Sequence, residues 1–241
     1  MHNGEVSEMD AYFFGERKPI PAGFEEWLDP RVAAAVSIDM HRGHLDDSPD
    51  CPCPSPRGRE IIEPINEFHR ACRRLGVPVI HVKTGLRSTG VDDTRGLPSA
   101  WRLTFPITAG PIPGIDRHGL MGTRWVELMT ETGPDDLVVD NKKRLSIFYA
   151  TDLDFLLRQL GCRAVVLTGG MTDCCVLNAA FDAANRDYRV VVPRDLVRGF
   201  SPEIEDASLR IVSLHLGLVM DSATLLTAWE RQAAGTVGGR R

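Results

Sequence analysis

The 241-residue sequence lacks the features of a membrane, nucleic-acid-binding or secreted protein. No apolar run approaches the roughly 18 residues of a membrane-spanning helix. Positive charge is not in excess, because 28 Lys and Arg stand against 33 Asp and Glu, and the net charge of −5 gives no reason to bind nucleic acid. The first ten residues are polar and acidic, without the apolar segment of a signal peptide. We therefore expect a cytoplasmic protein without nucleic-acid or membrane partners.

A disulfide framework is also missing. The six cysteines are few for a chain of this length, and Cys174 and Cys175 are adjacent, a spacing at which disulfide geometry is awkward. Cys51 and Cys53 form a Cys-Pro-Cys fragment, which we interpret as a surface loop because no second pair of ligands accompanies it; metal binding there is the alternative. We expect free thiols in a reducing compartment.

The composition that is present, 43% hydrophobic and 25% charged, is typical of one α/β domain with a sizeable core. Short apolar runs alternate with segments of helical spacing, which predicts a Rossmann-like, three-layer α/β/α fold around a six-stranded, mainly parallel sheet. The predicted strands are Ala33–Ile38, Val77–Val82, Leu137–Asp140, Ala164–Leu167, Tyr188–Val192 and Leu218–Met220. The predicted helices cover 61–75, 123–132, 151–160, 175–186 and 201–216.

We treat residues 1–241 as a single domain with three irregular parts. Residues 1–30 form an aromatic N-terminal arm, and residues 233–241 are predicted to be a flexible tail. Residues 83–120 break the alternation and are rich in Gly, Pro and Arg, and a loop of this length inside a compact domain is usually functional. We expect this insert to contribute to the walls of a binding site.

The segment Ala164–Ala180 carries the strongest chemical signal. Its apolar strand ends in Thr-Gly-Gly, and two cysteines follow where a helical pattern begins. Unpaired N–H groups and the helix dipole at a helix N-terminus favour the thiolate, which is the nucleophilic form of cysteine. The pattern indicates a cysteine that attacks a carbonyl carbon.

Two further reactive residues are predicted at the carboxyl ends of strands, where ligands bind in open α/β sheets. Asp39 follows the first strand, Lys142 the third and Cys175 the fourth. The acid could take the thiol proton and return it to a leaving nitrogen, while the amine holds the thiolate. The backbone N–H groups of Met171 and Cys175 could bind the oxyanion of a tetrahedral intermediate.

Several motifs in this order resemble those of the isochorismatase-like cysteine hydrolases. Ser37–Met40 looks like the family's N-terminal Asp motif, and Lys142–Phe148 is similar to its Lys-x-Arg-x-Ser-x-Phe segment. Gly169–Val176 resembles its Gly-x-x-Thr-x-x-Cys-Val loop, and Tyr188–Asp195 resembles the strand that follows. The resemblance covers about residues 33–222.

The resemblance implies a strand order of 3-2-1-4-5-6 and a catalytic triad of Asp39, Lys142 and Cys175. It implies a cis peptide between Gly170 and Met171 that turns the Met171 N–H toward the oxyanion. The family's cysteine precedes Val, which selects Cys175, and we expect Cys174 to pack as a small apolar residue. A homo-oligomer, either a dimer or a tetramer, is also implied.

The sequence departs from the family in two places. Metal-binding members carry an Asp-x-His pair near the second strand, whereas this chain reads His-Val-Lys-Thr-Gly-Leu-Arg from His81, so we predict no metal and no other cofactor. His44 stands where an aromatic residue is common, which favours a polar small-molecule substrate. The predicted substrate contacts are His41, His44, Arg144, Trp101 and Phe148.

Together these features predict a hydrolase acting on carbon–nitrogen bonds other than peptide bonds. It would cleave a small amide, carbamoyl or ureido, or cyclic amide substrate through a thioester on Cys175. The alternatives are vinyl-ether hydrolysis of the isochorismatase type, which needs no nucleophilic thiol, and a non-catalytic binding or assembly role.

Overall fold

The structure is a computed structural model that describes residues 9–237. Nine strands of these residues form one sheet around which the chain is organised. The strands are β1 (Asp10–Phe13), β2 (Glu16–Pro19), β3 (Ala33–Ile38), β4 (Val79–Thr84), β5 (Leu137–Lys142), β6 (Ala164–Gly170), β7 (Arg189–Pro193), β8 (Val197–Arg198) and β9 (Gly217–Met220).

Six of these strands form the predicted parallel core. They lie side by side in the order β5-β4-β3-β6-β7-β9, and every neighbouring pair is parallel. The predicted order 3-2-1-4-5-6 is therefore confirmed. Strand β3 is central and all six of its residues are buried, which is typical of a strand covered on both faces.

We had expected the N-terminal arm to be irregular, but it contains a β-hairpin. Strands β1 and β2 pair antiparallel, and β1 joins β9 through Tyr12 and Val219. The parallel sheet thus gains two antiparallel strands at its β9 side. Residues 1–8 of the predicted arm lie outside the described residues.

Helices cover both faces of the sheet, which confirms the three-layer prediction. Helices α5 (Leu153–Gln159), α6 (Leu177–Ala184) and α7 (Pro202–His215) pack on the face that carries Val36 and Ile38. Helices α3 (Ile62–Arg74) and α8 (Ser222–Val237) pack on the face that carries Ala33 and Ala35. Within residues 9–237 no helix combines the length and the apolar character needed to cross a membrane. The α-helices are α1 (Arg42–Leu45), α2 (Pro56–Arg59), α3 (Ile62–Arg74), α4 (Ala100–Ala109), α5 (Leu153–Gln159), α6 (Leu177–Ala184), α7 (Pro202–His215) and α8 (Ser222–Val237).

Two helix predictions need correction. The segment 123–132 forms only a short 3₁₀ turn at Arg124–Val126, capped by the Thr123 hydroxyl, and is otherwise irregular. Helix α8 continues to Val237, so the predicted tail is helical over its first five residues, and 238–241 lie outside the described residues.

The 83–120 insert is folded against the sheet rather than left as an open loop. It contains α4, and Leu86 bridges to Leu120 where the insert begins and ends. The Arg102 side chain, only 5% exposed, is paired with Asp93 and lies 2.8 Å from Asp116. These contacts tie α4 to the rest of the insert, and Trp101 and Phe105 of α4 line the same cavity as Asp39 and Lys142 at the carboxyl ends of the central strands.

Candidate active site

The three residues predicted for catalysis meet at the carboxyl ends of the parallel strands. Asp39 directly follows β3, Lys142 is the last residue of β5, and Cys175 lies in the turn after β6. The Nζ atom of Lys142 is 2.7 Å from Oδ2 of Asp39 and 3.4 Å from Sγ of Cys175. All three residues are buried.

Asp39 is held by Thr84 as well as by Lys142. Its Oδ1 accepts hydrogen bonds from the backbone N–H and the hydroxyl of Thr84, both at 3.0 Å. The Thr84 hydroxyl oxygen also lies 3.2 Å from Nζ of Lys142. Sequence reasoning missed Thr84, although its place at the end of β4, beside β3, is the signal that could have found it.

The charges of Asp39 and Lys142 stabilise each other. Burial alone would raise the pKa of Asp39, but the Lys142 ammonium group, together with the nearby His41 and His44, outweighs this effect and holds that pKa well below its usual range. Burial alone would lower the pKa of Lys142, but the Asp39 carboxylate raises it above its ordinary value. At neutral pH the pair is therefore an ion pair, and all three N–H donors of Lys142 have partners.

The turn between β6 and α6 brings the backbone close to the end of strand β3. Gly169 has a φ of +102°, and a Cβ placed on it would lie 2.2 Å from the carbonyl oxygen of Ile38. Glycine is therefore needed at this position. The Gly170–Met171 peptide bond is cis. A π-helical turn follows over Thr172–Val176.

Cys174 and Cys175 form a pair of neighbouring thiols. Their Sγ atoms are 3.8 Å apart, and both residues line the cavity. As expected, Cys174 packs as a partly buried apolar residue against the core, and it also lines the cavity. The hydrogen bond shared with Cys174, together with burial, raises the pKa of the Cys175 thiol, while the Lys142 ammonium group opposes the rise. The same shared bond lowers the pKa of Cys174.

A cavity opens above these groups, and three of the five predicted substrate contacts line it. These are His44, Trp101 and Arg144. His41 does not line the cavity: it is completely buried, its Nδ1 is 2.9 Å from the Trp125 carbonyl oxygen, and its Nε2 is 3.9 Å from Asp39. Phe148 does not line the cavity either. Its ring stacks on that of Tyr188 in the core, with the ring centroids 6.1 Å apart. Other lining residues include Leu86, Phe105, His118 and Leu145.

Comparison with known sequences identifies the family of this chain. A sequence profile described as the isochorismatase domain matches residues 33–224, most of the chain. The chain belongs to the isochorismatase domain family. The matched range agrees with the resemblance noted over residues 33–222, and both begin at the first residue of β3.

Two relatives in sequence and two in structure illustrate this isochorismatase family. Ureidoacrylate amidohydrolase RutB of Methylorubrum extorquens is 29% identical over 224 residues, covering 88% of this chain and 86% of the relative. N-carbamoylsarcosine amidase of Arthrobacter sp is 24% identical, covering 76% and 66%. A cysteine hydrolase from Pseudomonas syringae pv. phaseolicola 1448A superposes with a TM-score of 0.72 at 22% identity, covering 84% of this chain and 94% of that one. Pyrazinamidase of Pyrococcus horikoshii in complex with zinc superposes with a TM-score of 0.63 at 25% identity, covering 79% and 99%.

The possible metal ligands in the described part of this isochorismatase-family chain are bonded to other groups of the protein or stand apart. Among residues 9–237, no three His, Cys, Asp or Glu side chains are arranged to hold a metal ion. Nε2 of His81 lies 3.0 Å from Oδ2 of Asp136, and the Arg73 guanidinium group lies 2.6 Å from the same oxygen. The Asp136 carboxylate is thus already occupied by two partners within the protein.

Proposed function

We propose that the chain is a cysteine amidohydrolase that cleaves a C–N bond of a small amide, carbamoyl or ureido, or cyclic amide substrate. The observation that carries this proposal is the position of Lys142, whose Nζ contacts both the Asp39 carboxylate and the Cys175 thiol. An acid–base group and a nucleophile joined through one cation are what attack on an amide carbonyl requires.

In the proposed reaction, Asp39 accepts the proton of the Cys175 thiol. The thiolate then attacks the carbonyl carbon, and the N–H groups of Met171 and Cys175 bind the oxyanion. Collapse of this intermediate breaks the C–N bond, the nitrogen leaves with the proton held by Asp39, and a thioester remains on Cys175. Water, deprotonated by Asp39, hydrolyses the thioester to a carboxylic acid and restores the thiol.

The relatives support this type of substrate. Two of them are named as an amidase and an amidohydrolase, of N-carbamoylsarcosine and of ureidoacrylate, and both names describe hydrolysis at an amide-type nitrogen. The cysteine also favours amide hydrolysis over vinyl-ether hydrolysis, because vinyl-ether hydrolysis needs no nucleophilic thiol.

We further propose that the enzyme acts in the cytoplasm as a homo-oligomer, a dimer or a tetramer. All six cysteines are free, as in proteins of reducing compartments. Tyr149 and Phe155 leave 61% and 63% of their surfaces exposed, and aromatic residues are enriched at subunit contacts. Sedimentation velocity of the purified protein tests the oligomeric state.

The deciding experiment measures ammonia release from a panel of ureido acids and carboxamides, with ring opening of imides and lactams followed by absorbance. We compare the native protein with Cys175→Ala, and use Cys174→Ala as the matched control for loss of a neighbouring thiol. Turnover that survives in Cys174→Ala and disappears in Cys175→Ala supports the proposal. Full turnover by Cys175→Ala contradicts it.

The native protein and the Cys175→Ala variant also distinguish the two alternative functions, vinyl-ether hydrolysis and a non-catalytic binding role. An enzyme that hydrolyses vinyl ethers would keep that activity in Cys175→Ala. A non-catalytic binding protein would turn over no substrate, and iodoacetamide would modify Cys175 slowly, as it does an ordinary buried thiol.

A further inference from the structure

Three histidines lie beside the Asp39–Lys142 pair, two from the N-terminal part of the chain and one from the insert. The ring centroids of His41 and His44 are 4.8 Å apart, and those of His44 and His118 are 5.0 Å apart. His44 and His118 line the cavity, whereas His41 lies behind them. The catalytic proposal leaves these two cavity-lining rings without a role.

The hydrogen bonds of both rings fix which nitrogen carries the proton. Nδ1 of His44 lies 2.9 Å from the Cys53 carbonyl oxygen, and Nδ1 of His118 lies 2.5 Å from the Ile115 carbonyl oxygen. A carbonyl oxygen can only accept, so each Nδ1 must donate. Burial lowers the pKa of both histidines, that of His118 to well below its ordinary value, so neither ring has a second proton at neutral pH.

Each Nε2 atom is therefore a hydrogen-bond acceptor. Within residues 9–237 neither Nε2 has a hydrogen-bond partner, and the rings do not belong to a group that could hold a metal ion. A neutral imidazole nitrogen with an unused lone pair requires a donor from whatever fills the cavity.

The cationic side chains around the cavity have hydrogen-bond partners within the described part of the protein, although Lys143 and Arg144 keep further N–H groups free there. Lys143 donates to the Gly85 carbonyl oxygen, Arg102 pairs with two aspartates, and Arg144 donates to the carbonyl oxygens of Lys143 and Asp92. The polar groups left free at the histidine wall are acceptors, and this favours a ligand that brings N–H groups over one that brings a carboxylate to that wall.

The two histidines are held rigidly although they are far apart in sequence. Gly43, next to His44, packs against the backbone of His118 so closely that a Cβ on it would lie 1.7 Å from the His118 carbonyl oxygen. The Trp101 and His118 rings pack edge to face, with their centroids 5.0 Å apart. Fixed acceptors of this kind can discriminate between ligands that differ by one donor, because the wrong ligand leaves them unpaired.

We propose that His44 and His118 are specificity-determining residues that accept N–H hydrogen bonds from the substrate, so that the site selects substrates with a terminal NH₂, such as carbamoyl and ureido compounds, over N-acyl analogues that lack this group. This assignment of a substrate class rests on the proposed amidohydrolase function. The terminal NH₂ of a carbamoyl group supplies two donors, one for each acceptor.

The test compares isosteric ligands that differ only in this donor. N-carbamoyl and N-acetyl derivatives of methylamine, glycine and β-alanine form three matched pairs, in which NH₂ is replaced by CH₃. Binding is measured by calorimetry to the Cys175→Ala protein, so that no turnover is needed. We expect the carbamoyl member of at least one pair to bind roughly tenfold more tightly, as is typical when a buried polar group would otherwise lack a partner.

Variants of His44 and His118 test whether these two residues cause the preference for carbamoyl over acetyl compounds. His44→Phe and His118→Phe keep a ring of similar size without the acceptor, and we expect the preference to fall toward unity. His118→Gln restores an acceptor oxygen and should regain part of it, and thermal melting confirms that each variant is folded. Equal binding within all three pairs, no binding of any carbamoyl compound, or a preference unchanged in both Phe variants overturns the proposal.

Failure of the proposed function gives a different result. In that case no amide is turned over in a manner that depends on Cys175, yet the carbamoyl preference and its dependence on His44 and His118 can still be measured. If the acceptor proposal alone is wrong, Cys175-dependent turnover remains and carbamoyl and acetyl compounds bind alike.

Discussion

The Lys142 ammonium group and the Asp39 carboxylate form a buried ion pair 2.7 Å long, with side chains only 3% and 4% exposed. A charge buried to this extent is tolerated because its partner is present. The pair therefore determines stability as well as the proposed chemistry, and the two effects can be measured separately.

Asp39→Asn should destabilise the fold by about 3–5 kcal/mol, because it leaves the Lys142 charge buried without a counter-charge. Adding Lys142→Met should recover much of this loss, since the double variant no longer buries an unpaired charge. Urea unfolding of the two single variants and the double variant measures both effects. A double variant whose losses simply add would show that the two side chains are not coupled.

Cys174→Ala should shift the alkylation of Cys175 to lower pH. The hydrogen bond shared by the two thiols raises the pKa of Cys175, whereas the Lys142 ammonium group lowers it and stays in place. The pH profile of the iodoacetamide reaction, followed by mass spectrometry of the Cys175 peptide, measures the shift. Cys162→Ala, which removes a distant buried thiol, serves as the control. A Cys175 profile that moves to higher pH in Cys174→Ala would contradict this account of the pair.

Folding should become less favourable as the pH falls below 6.5, and His69 should account for part of the loss. Burial lowers the pKa of His69 from 6.5 to about 3, so between these values the unfolded chain binds a proton that the folded chain does not. The contribution is absent above pH 6.5 and reaches about 2 kcal/mol of lost stability at pH 5. His81, Arg73 and Asp136 are the titratable groups around this ring.

The matched variants are His69→Phe and His215→Gln. Neither ring nitrogen of His69 has a hydrogen-bond partner among residues 9–237, so a phenyl ring should remove only the titration, whereas His215 is exposed on α7. The difference in unfolding free energy between pH 7 and pH 5 should shrink by about 2 kcal/mol in His69→Phe. It should stay unchanged in His215→Gln. Equal pH dependence in the two variants would exclude His69 as the source.

Gly169→Ala should be far more damaging than Gly161→Ala, although both glycines have positive φ. Gly161 faces open space, so alanine there should cost only the conformational penalty of about 1–2 kcal/mol. At Gly169 the new methyl group would meet the Ile38 carbonyl oxygen at 2.2 Å, which should cost more than about 4 kcal/mol or prevent folding. Thermal melting of the two variants compares them, and similar melting temperatures would refute the steric explanation.

The parallel core and the meeting of Asp39, Lys142 and Cys175 could be predicted from the sequence. Each side chain lies shortly after a mainly apolar run, and the carboxyl ends of parallel strands share one edge of the sheet. Local pattern and this topological rule indicated where the three side chains meet, whereas the strand order and the choice of Cys175 over Cys174 came from the resemblance to the isochorismatase-like cysteine hydrolases.

The rest of the site depends on contacts that leave no local trace. His118 reaches the cavity only because the insert packs on Gly43, 75 positions away in the numbering. Phe148 has the same apolar character as a cavity residue but is used in the core. The N-terminal hairpin was missed because β2, Glu-Arg-Lys-Pro, has no alternation of apolar residues and Phe14 takes a φ of +52° where glycine is usual.

The hairpin described above also makes the two edges of the sheet unlike each other. At one edge, every residue of β2 is exposed, three of the four are charged and the last is proline, a composition that discourages another strand from pairing there. At the other edge, β5 presents Val138, 42% exposed, and ends at Lys142. A strand from another chain that extended the sheet would therefore pair with β5. It would then contact the strand that positions the buried ammonium group of Lys142.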